Sequence, residues 1–451
     1  MSILVFKRNW RNVGLTFKAS LLSSLIADYA AGSSTPTFTR TTVATVRGYA
    51  SGAVSGDSQV ILSCASGEAR FSGARRVSQG VWSPVLSDGT PIPATTLLGA
   101  LAEGVRTNLC LQGNAFTTTP WSIGGTSTIV KNAIGPDGTT SAWTCTDTDT
   151  TVASYITGTV ALTADAYTFS MFIRKTVGAQ ASYPVMFVYT GTKVALATID
   201  TSNGVLTPWT AYTSFTMLGG VSVRCASFNA NFWRVEMTFT GTAATYVVQL
   251  LIAGTANATQ STGSQDLTLS GVGCVVANAQ VELGSFASSY IPTTTVSVLK
   301  NADIDSYATA GNINAASGTV YLEFTPQHAP SGTIALWGTY VDASNYTAIL
   351  HDATNLIMRK RIAGTNYDAT IALAFVSGTT YKVAGAWGAA VNVAVGGTAG
   401  TPNTNATAAQ IGSTMQDGAD GNGGQQPFAC LRNRKNYLIG MSANQLAALT
   451  T

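Results

Sequence analysis

The chain has 451 residues and a formal net charge of +3 at pH 7, with 10% of residues charged against about 25% in an ordinary soluble domain. That length predicts two to four domains with sizeable cores, and the weak charge argues against nucleic acid as a partner. With 45 glycines and few charges, the surface must be covered mostly by Thr, Ser, Asn and Gly, which suits a protein buried in an assembly or exposed outside a cell.

At the start of the chain Lys7, Arg8 and Arg11 precede LTFKASLLSSLIADYAAG, an imitation of a signal peptide that Lys18 and Asp28 interrupt. The spacing predicts instead an amphipathic helix around 17–30, with Leu21, Leu22, Leu25, Ile26 and Tyr29 on a face that needs a partner. No other run is long and apolar enough to cross a bilayer, so membrane insertion is not expected. The rest of 1–105 carries short alternating strands in FTRTTVATVRGYAS and QVILSCASGEARFSGARRV, with too little apolar material for a robust core of its own. It reads as an assembly segment that is either completed by partners or folded back on its own jelly roll.

From 106 to 293 the pattern is all-β. Short runs rich in Val, Ile, Tyr and Phe are separated by Gly-, Thr- and Asn-rich turns. In YTFSMFIRK, Phe169, Met171 and Ile173 face one way and Ser170, Phe172 and Arg174 the other. In FWRVEMTFT, Trp233, Val235, Met237 and Phe239 alternate with Arg234, Glu236 and Thr238, predicting a half-exposed strand. Two packed antiparallel sheets of this kind make a jelly roll. The segment closes on AQVELGSFASSYIPT, Ala279–Thr293, a short strand broken at Gly284 and running extended into Pro292. No titratable group clusters in this stretch, and it reads as architectural.

Residues 294–317 read as a polar connector, and 318–451 as a second β-sandwich of many short strands at steady intervals. The ending MSANQLAALTT predicts a small helix capped by Ser442. The fold class expected is therefore all-β: two antiparallel β-sandwich domains preceded by an irregular segment with one short helix. The longest basic cluster, RNRK at Arg432–Lys435, reads as a solvated loop. Cys64, Cys110, Cys145, Cys225, Cys274 and Cys430 form no C-x-x-C pair, and the two histidines, His328 and His351, offer them no zinc partner. Cys110–Cys145 and Cys225–Cys274 are conceivable bridges, set against reduced cysteines packed as small hydrophobes.

One ordered series spans Phe38 to Pro292: FTR at Phe38–Arg40, EARFSGARR at Glu68–Arg76, EGVRTNL at Glu103–Leu109, Trp121, GPDGTTSA at Gly135–Ala142, and VELGSFASSYIPT. Taken in this order and spacing, it resembles a recurrent class of tailed-bacteriophage and prophage structural proteins. The resemblance implies a carbohydrate-binding-module-like jelly roll in the middle and a laminin-G or concanavalin-like sandwich at the end. It also implies a virion location, other capsid or tail proteins as partners, and a homo-oligomer, preferably a trimer.

Three kinds of chemistry merit a place in this sequence. Hydrolysis of a surface polysaccharide needs two carboxylates roughly 5 to 9.5 Å apart across a cleft, and Asp303, Asp305, Glu323, Asp417 and Asp420, with Tyr307, Tyr321 and Phe324 near some of them, give no pattern that pairs any two. His328, His351 and the absence of G-x-S-x-G leave no Ser-His-Asp arrangement. A calcium ion would draw on Asp417 and Asp420 in QDGADGNGG, a thin ligand set with no EF-hand spacing. Glycan binding would use Trp337, Tyr340, Tyr346, His351, Tyr367 and Trp387, although strand alternation could equally send Trp337 and Trp387 into the core. Trp121, Trp143, Trp209 and Trp233 carry the same two readings. The expectation is a non-enzymatic virion protein without cofactor or metal, a tail- or head-associated fibre presenting its sandwiches to a host-surface glycan. A capsid decoration or cement protein is the alternative, and a depolymerase the third.

Overall fold

The computed structural model describes residues 37–451 except 67, 80, 94, 149–151, 177–181, 213–214, 253–259, 262–271 and 331, together with the backbone of 27–28. Among the described residues it is all-β apart from one helix. In the middle of the chain, alternation does what the sequence implies. Phe169, Met171 and Ile173 of strand Ala166–Arg174 and Val235, Met237 and Phe239 of Phe232–Thr240 point into one core. Both strands lie in a six-stranded antiparallel sheet ordered Ser127–Ala133, Ala142–Asp147, Gly273–Leu283, Ala166–Arg174, Phe232–Thr240, Ser222–Ser227. Met186, Val188, Val248 and Leu250 of the facing sheet close the same core, which makes this body a β-sandwich.

The outer face of that six-stranded sheet is not half-exposed, which corrects the reading of FWRVEMTFT. Glu236 is 3% exposed and Thr238 8%. The chain around Ser285–Ser289 folds across this face: Ala287 N–H donates to Glu236 and Thr238 Oγ1 donates to the Ser285 carbonyl. Phe172, on the same side, packs with Phe228, Phe232 and Tyr290 in a separate cluster.

The second sandwich is built from an eight-stranded and a seven-stranded sheet. Val320, Leu322 and Phe324 from Gly318–Pro326 meet Leu336, Trp337, Ile349 and Met358 from the facing strands. Trp337 and Trp387 stack in this core with ring centroids 5.9 Å apart. The closing helix, Ala443–Thr450, begins where the sequence placed it: Ser442 and Gln445 form a reciprocal capping box. Its Leu446 packs against Tyr321, Ala384 and Ala394 on the outside of the eight-stranded sheet.

Residues 37–105 have a small core of Val46, Cys64, Phe71 and Trp82, and the same chain's last sandwich completes the segment. Gly99–Ala102 adds to strand Ala429–Tyr437 and itself carries Phe71–Ser72. Thr37–Thr39 adds to Ile304–Ala308 in the opposite sheet. Gly99 is required at the crossing, because its φ is +110° and a Cβ there would stand 2.3 Å from the Leu431 carbonyl oxygen. Within 294–317, Val298–Lys300 pairs with Arg106–Asn108, and Ile304–Ala308 enters the sandwich.

Three local expectations change. Of the helix expected at 17–30, only Ala27–Asp28 is described, and it forms a short parallel strand against Arg434–Lys435; the remainder lies outside the described residues. Arg432–Lys435 is no solvated loop but part of strand Ala429–Tyr437, with Arg432 bonded to Glu323 at 2.7 Å and Arg434 1% exposed. All six cysteines are free thiols. The register places Cys145 opposite Cys274, a pairing that neither conceivable bridge contains.

Candidate functional site: a buried ionic junction

Residues from four of the six pieces of the ordered series, Arg40, Arg70, Glu103 and Ser289, meet at one place. Arg70, from EARFSGARR, lies fully buried between the two sandwiches and the N-terminal segment. Its Nη1 donates to the Thr45 carbonyl at 2.6 Å and to Ser289 Oγ at 2.8 Å. Its Nη2 donates to Glu103 at 2.7 Å and to Asp303, and its Nε to Asp303 at 3.2 Å. Glu103, from EGVRTNL, also accepts from Ser289 N at 2.7 Å and Ser289 Oγ at 2.6 Å. Lys300 Nζ lies 3.5 Å from Glu103 and donates to the Gly104 carbonyl at 2.9 Å. Arg40, from FTR, closes the set on Asp303 at 3.0 Å and on the Ala65 carbonyl at 2.7 Å.

A buried charge is costly unless paired and hydrogen-bonded, and here nearly every lone pair and proton finds a partner. Burial alone would push Arg70 towards neutrality, but Asp303 and Glu103 beside it outweigh that and raise its pKa. Burial likewise opposes the Glu103 charge, yet Arg70, Lys300 and the Ser289 donors bring its pKa down to about 2. Lys300 is lowered by burial, with Glu103 and Asp303 opposing. The reading of Ala279–Thr293 as free of titratable clusters is therefore corrected. Its Ser289 is bonded to the Arg70–Glu103 pair. Its Glu282, fully buried, accepts from Ser288 and Gln280, and burial raises its pKa to about 7. Sequence reasoning missed the site because its charges come from four separate stretches; the motif series itself was the signal that could have found it.

A second pair of carboxylates lies nearby. Asp305 and Asp417 face each other in adjacent antiparallel strands; burial raises both pKa values, with repulsion from Asp417 adding to it at Asp305 and Arg434 opposing it at Asp417. Tyr307 Oη donates to Asp305 at 2.8 Å, and Arg434 stands 3.3 Å from Asp417 and 3.7 Å over the Tyr307 ring. The enclosed space beside this pair is about 20 Å3, room for one water molecule and no sugar ring. As placed, the pair has no substrate-sized cleft between its members. Asp303 belongs to the junction. Glu323 is held by Arg432, Asn433 and Tyr321, while Phe324 is core.

The calcium candidates are not brought together. Asp417 faces Arg434, whereas Asp420 accepts from Asn422 N and Gly424 N and closes its own turn. No group of three or more His, Cys, Asp or Glu arranged to hold a metal ion occurs among the described residues.

Of the glycan candidates, Trp337, Trp387 and His351 are 0% exposed and present no face to solvent. His351 packs on Phe375 at 4.2 Å and bonds the Leu373 carbonyl, and Tyr367 lies against the core. Tyr340 and Tyr346 alone come together on the opposite, outer face of the sheet, with ring centroids 6.4 Å apart. The Arg361 guanidinium lies 6.0 Å from the Tyr346 ring centroid. Trp121, Trp143 and Trp209 are buried, and Trp233 carries Lys175 Nζ 4.1 Å over its ring. His328 sits in a ring stack with Phe286 and Phe428, at 4.5 and 5.2 Å.

No protein-family model and no curated protein matches the chain. Among solved structures it is similar to a native heptameric SAP-like pentraxin from Limulus polyphemus, at 15% identity and TM-score 0.25 over 30% of this chain and 70% of that one. It is also similar to domains LG4-5 of the mouse laminin alpha1 chain, at 11% identity and TM-score 0.25 over 63% of this chain and 87% of that one. A third is the full extracellular region of zebrafish Gpr126/Adgrg6, at 13% identity and TM-score 0.24 over 68% of this chain and 37% of that one. Overlaps at these scores carry no argument about function, and the β-sandwich architecture rests on the strand pairing itself.

Proposed function

We propose that this chain is a non-enzymatic structural protein of a tailed-bacteriophage virion, a fibre or appendage of tail or head assembled as a homotrimer with other virion proteins around it. The observation that carries the reading is that four pieces of the resembling series supply Arg40, Arg70, Glu103 and Ser289 to one junction with Asp303, which locks the N-terminal segment and both sandwiches to one another. Such a locked body transmits load and presents surfaces; fold by itself does not supply function. In this reading the outward contact with a host glycan falls to Tyr340 and Tyr346. Deleting everything after Thr293 would be a poor test, because it removes the strands on which 37–39 and 99–102 pair. The informative experiment is the double substitution Tyr340→Ala with Tyr346→Ala in the particle. Loss of adsorption with intact particles supports the adhesin, and unchanged adsorption overturns it.

The alternative, a capsid decoration protein that stabilises the shell, is favoured by the burial of Trp337, Trp387 and His351, which removes half of the rings available for a sugar. Heat resistance of particles lacking the protein separates it from the first reading. A shell protein leaves particles that break at lower temperature yet still adsorb.

A further inference from the structure

A second feature lies at the same three-way contact, on the outer face of the six-stranded sheet. A cavity of about 270 Å3 opens between that face, the N-terminal segment and the Gln327–His328 loop, large enough for a small ligand. Three guanidiniums, Arg47, Arg224 and Arg234, line it against a single carboxylate, Glu236. Lys175 bonds Ser227 at the rim, 2.7 Å away, and adds a fourth positive charge.

The charges are unequally satisfied. Glu236 is spent on Arg224 at 2.8 Å and on the Ala287 amide at 3.2 Å. Arg234, deeper in, has only a 3.3 Å bond from Nη2 to Ser170 Oγ and a cation–π contact with Phe172, 5.2 Å to the ring centroid. Its Nε is sealed from solvent with no hydrogen-bond partner among the described residues. Glu236, Glu282 and Glu103 attract it only at longer range, and burial lowers its pKa. In the same chain Arg70 is bonded to two carboxylates, whereas among the described residues no carboxylate is bonded to Arg234. His328, 3.3 Å from Arg224, is lowered to about 3 by burial and by Arg224 and Arg234, and is neutral at pH 7. The region thus carries more positive charge than Glu236 alone can pair.

The rest of the wall narrows the ligand. Phe228, Phe428 and the His328 ring give flat apolar faces, and Thr45, Thr96 and Ser227 give hydroxyls. Flat rings with scattered hydroxyls and amides suit a hydroxylated ring, and a fork of guanidinium N–H donors suits a planar carboxylate. We propose that this cavity binds a sugar acid, a hydroxylated ring bearing one carboxylate, with the carboxylate on Arg234 and the ring against the Phe428–His328 wall. The site stands on its own geometry and does not depend on a virion role.

Titration calorimetry on the full chain tests it, with D-glucuronate as the probe and D-glucose and inorganic phosphate as the comparators. Glucuronate is expected to bind saturably, and glucose not at all. Arg234→Met should weaken glucuronate about tenfold or more without lowering the thermal midpoint of the unliganded protein, since the charge removed is under-bonded. Should that variant fail to fold, Arg47→Gln at the exposed rim gives the same readout, with affinity reduced several-fold. No saturable binding, equal affinity in the substituted protein, or glucose binding as well as glucuronate would overturn the proposal. Phosphate binding as tightly as glucuronate would overturn it too, leaving a site for any small anion.

Discussion

At the scale of single residues, Arg70 is the side chain on which most depends. Replacing it with Met leaves Glu103 and Asp303 buried with fewer positive partners, a change that costs about 3–5 kcal/mol in comparable buried pairs. Urea unfolding of Arg70→Met should show a loss of that order, and a loss under about 1 kcal/mol would mean the junction is not a stabilising lock. The two buried glutamates give opposite pH signatures. Glu103 is depressed from 4.5 to about 2, so its contribution is present above pH 4.5 and is lost as pH falls through about 2. Glu282 is raised from 4.5 to about 7, so its contribution is present below pH 4.5 and is lost as pH rises through about 7. The thermal midpoint of wild type relative to Glu282→Gln should therefore decline between those two pH values, and a flat difference would remove Glu282 as the cause. Core and surface aromatics separate just as cleanly. Trp337→Ala should cost about 3–5 kcal/mol, while Tyr340→Ala, on the outer face, should change stability by less than about 1 kcal/mol; denaturant midpoints decide between them.

At the scale of elements, the strands of the two sandwiches follow from period-2 alternation, and the closing helix from its Ser442–Gln445 cap. The short strands of 37–105 do not follow from it. Gly99–Ala102 and Phe71–Ser72 are two to four residues long, too short for a period to declare itself, and their place is set by an edge offered by Ala429–Tyr437. Gly99→Ala forces a Cβ into the Leu431 carbonyl at a φ of +110°, a strain worth about 1–3 kcal/mol. Hydrogen exchange should then lose protection at Ala100–Ala102 and Ala429–Leu431 together, while the jelly-roll core around Phe169 and Met237 keeps its own. Protection lost evenly across the molecule would contradict this pairing. Arg432–Lys435 misled for a related reason: four polar residues read as solvated until the strand is seen to bury Arg434 beside Asp417 and Tyr307.

For the whole molecule, the last sandwich and the N-terminal segment share both sheets. Alone, 294–451 would expose the strand edges at Ile304–Ala308 and Ala429–Tyr437 and leave Asp303 without Arg40 and Arg70. That fragment is expected to be insoluble or unfolded when expressed by itself, and to become soluble with dispersed amide resonances when 37–105 is supplied. A well-folded isolated fragment would show that the N-terminal strands are an addition to a complete sandwich.

What the sequence by itself determined is local: alternating strands, turns, a helix cap and hence an all-β chain of two sandwiches, because period and capping are properties of neighbouring residues. It also flagged the stretches that carry Arg40, Arg70, Glu103 and Ser289, but only as an ordered series without a reason, and that series left out Lys300 and Asp303. The tertiary structure alone decided which face of each strand stays wet, and so turned Trp337, Trp387 and His351 into core and the outer face bearing Arg234 and Glu236 into a covered wall. Alternation separates two faces and is silent about what lies over either. Arg70 and Asp303 are 233 positions apart, and the partner that makes a buried charge affordable enters only when distant segments are packed together.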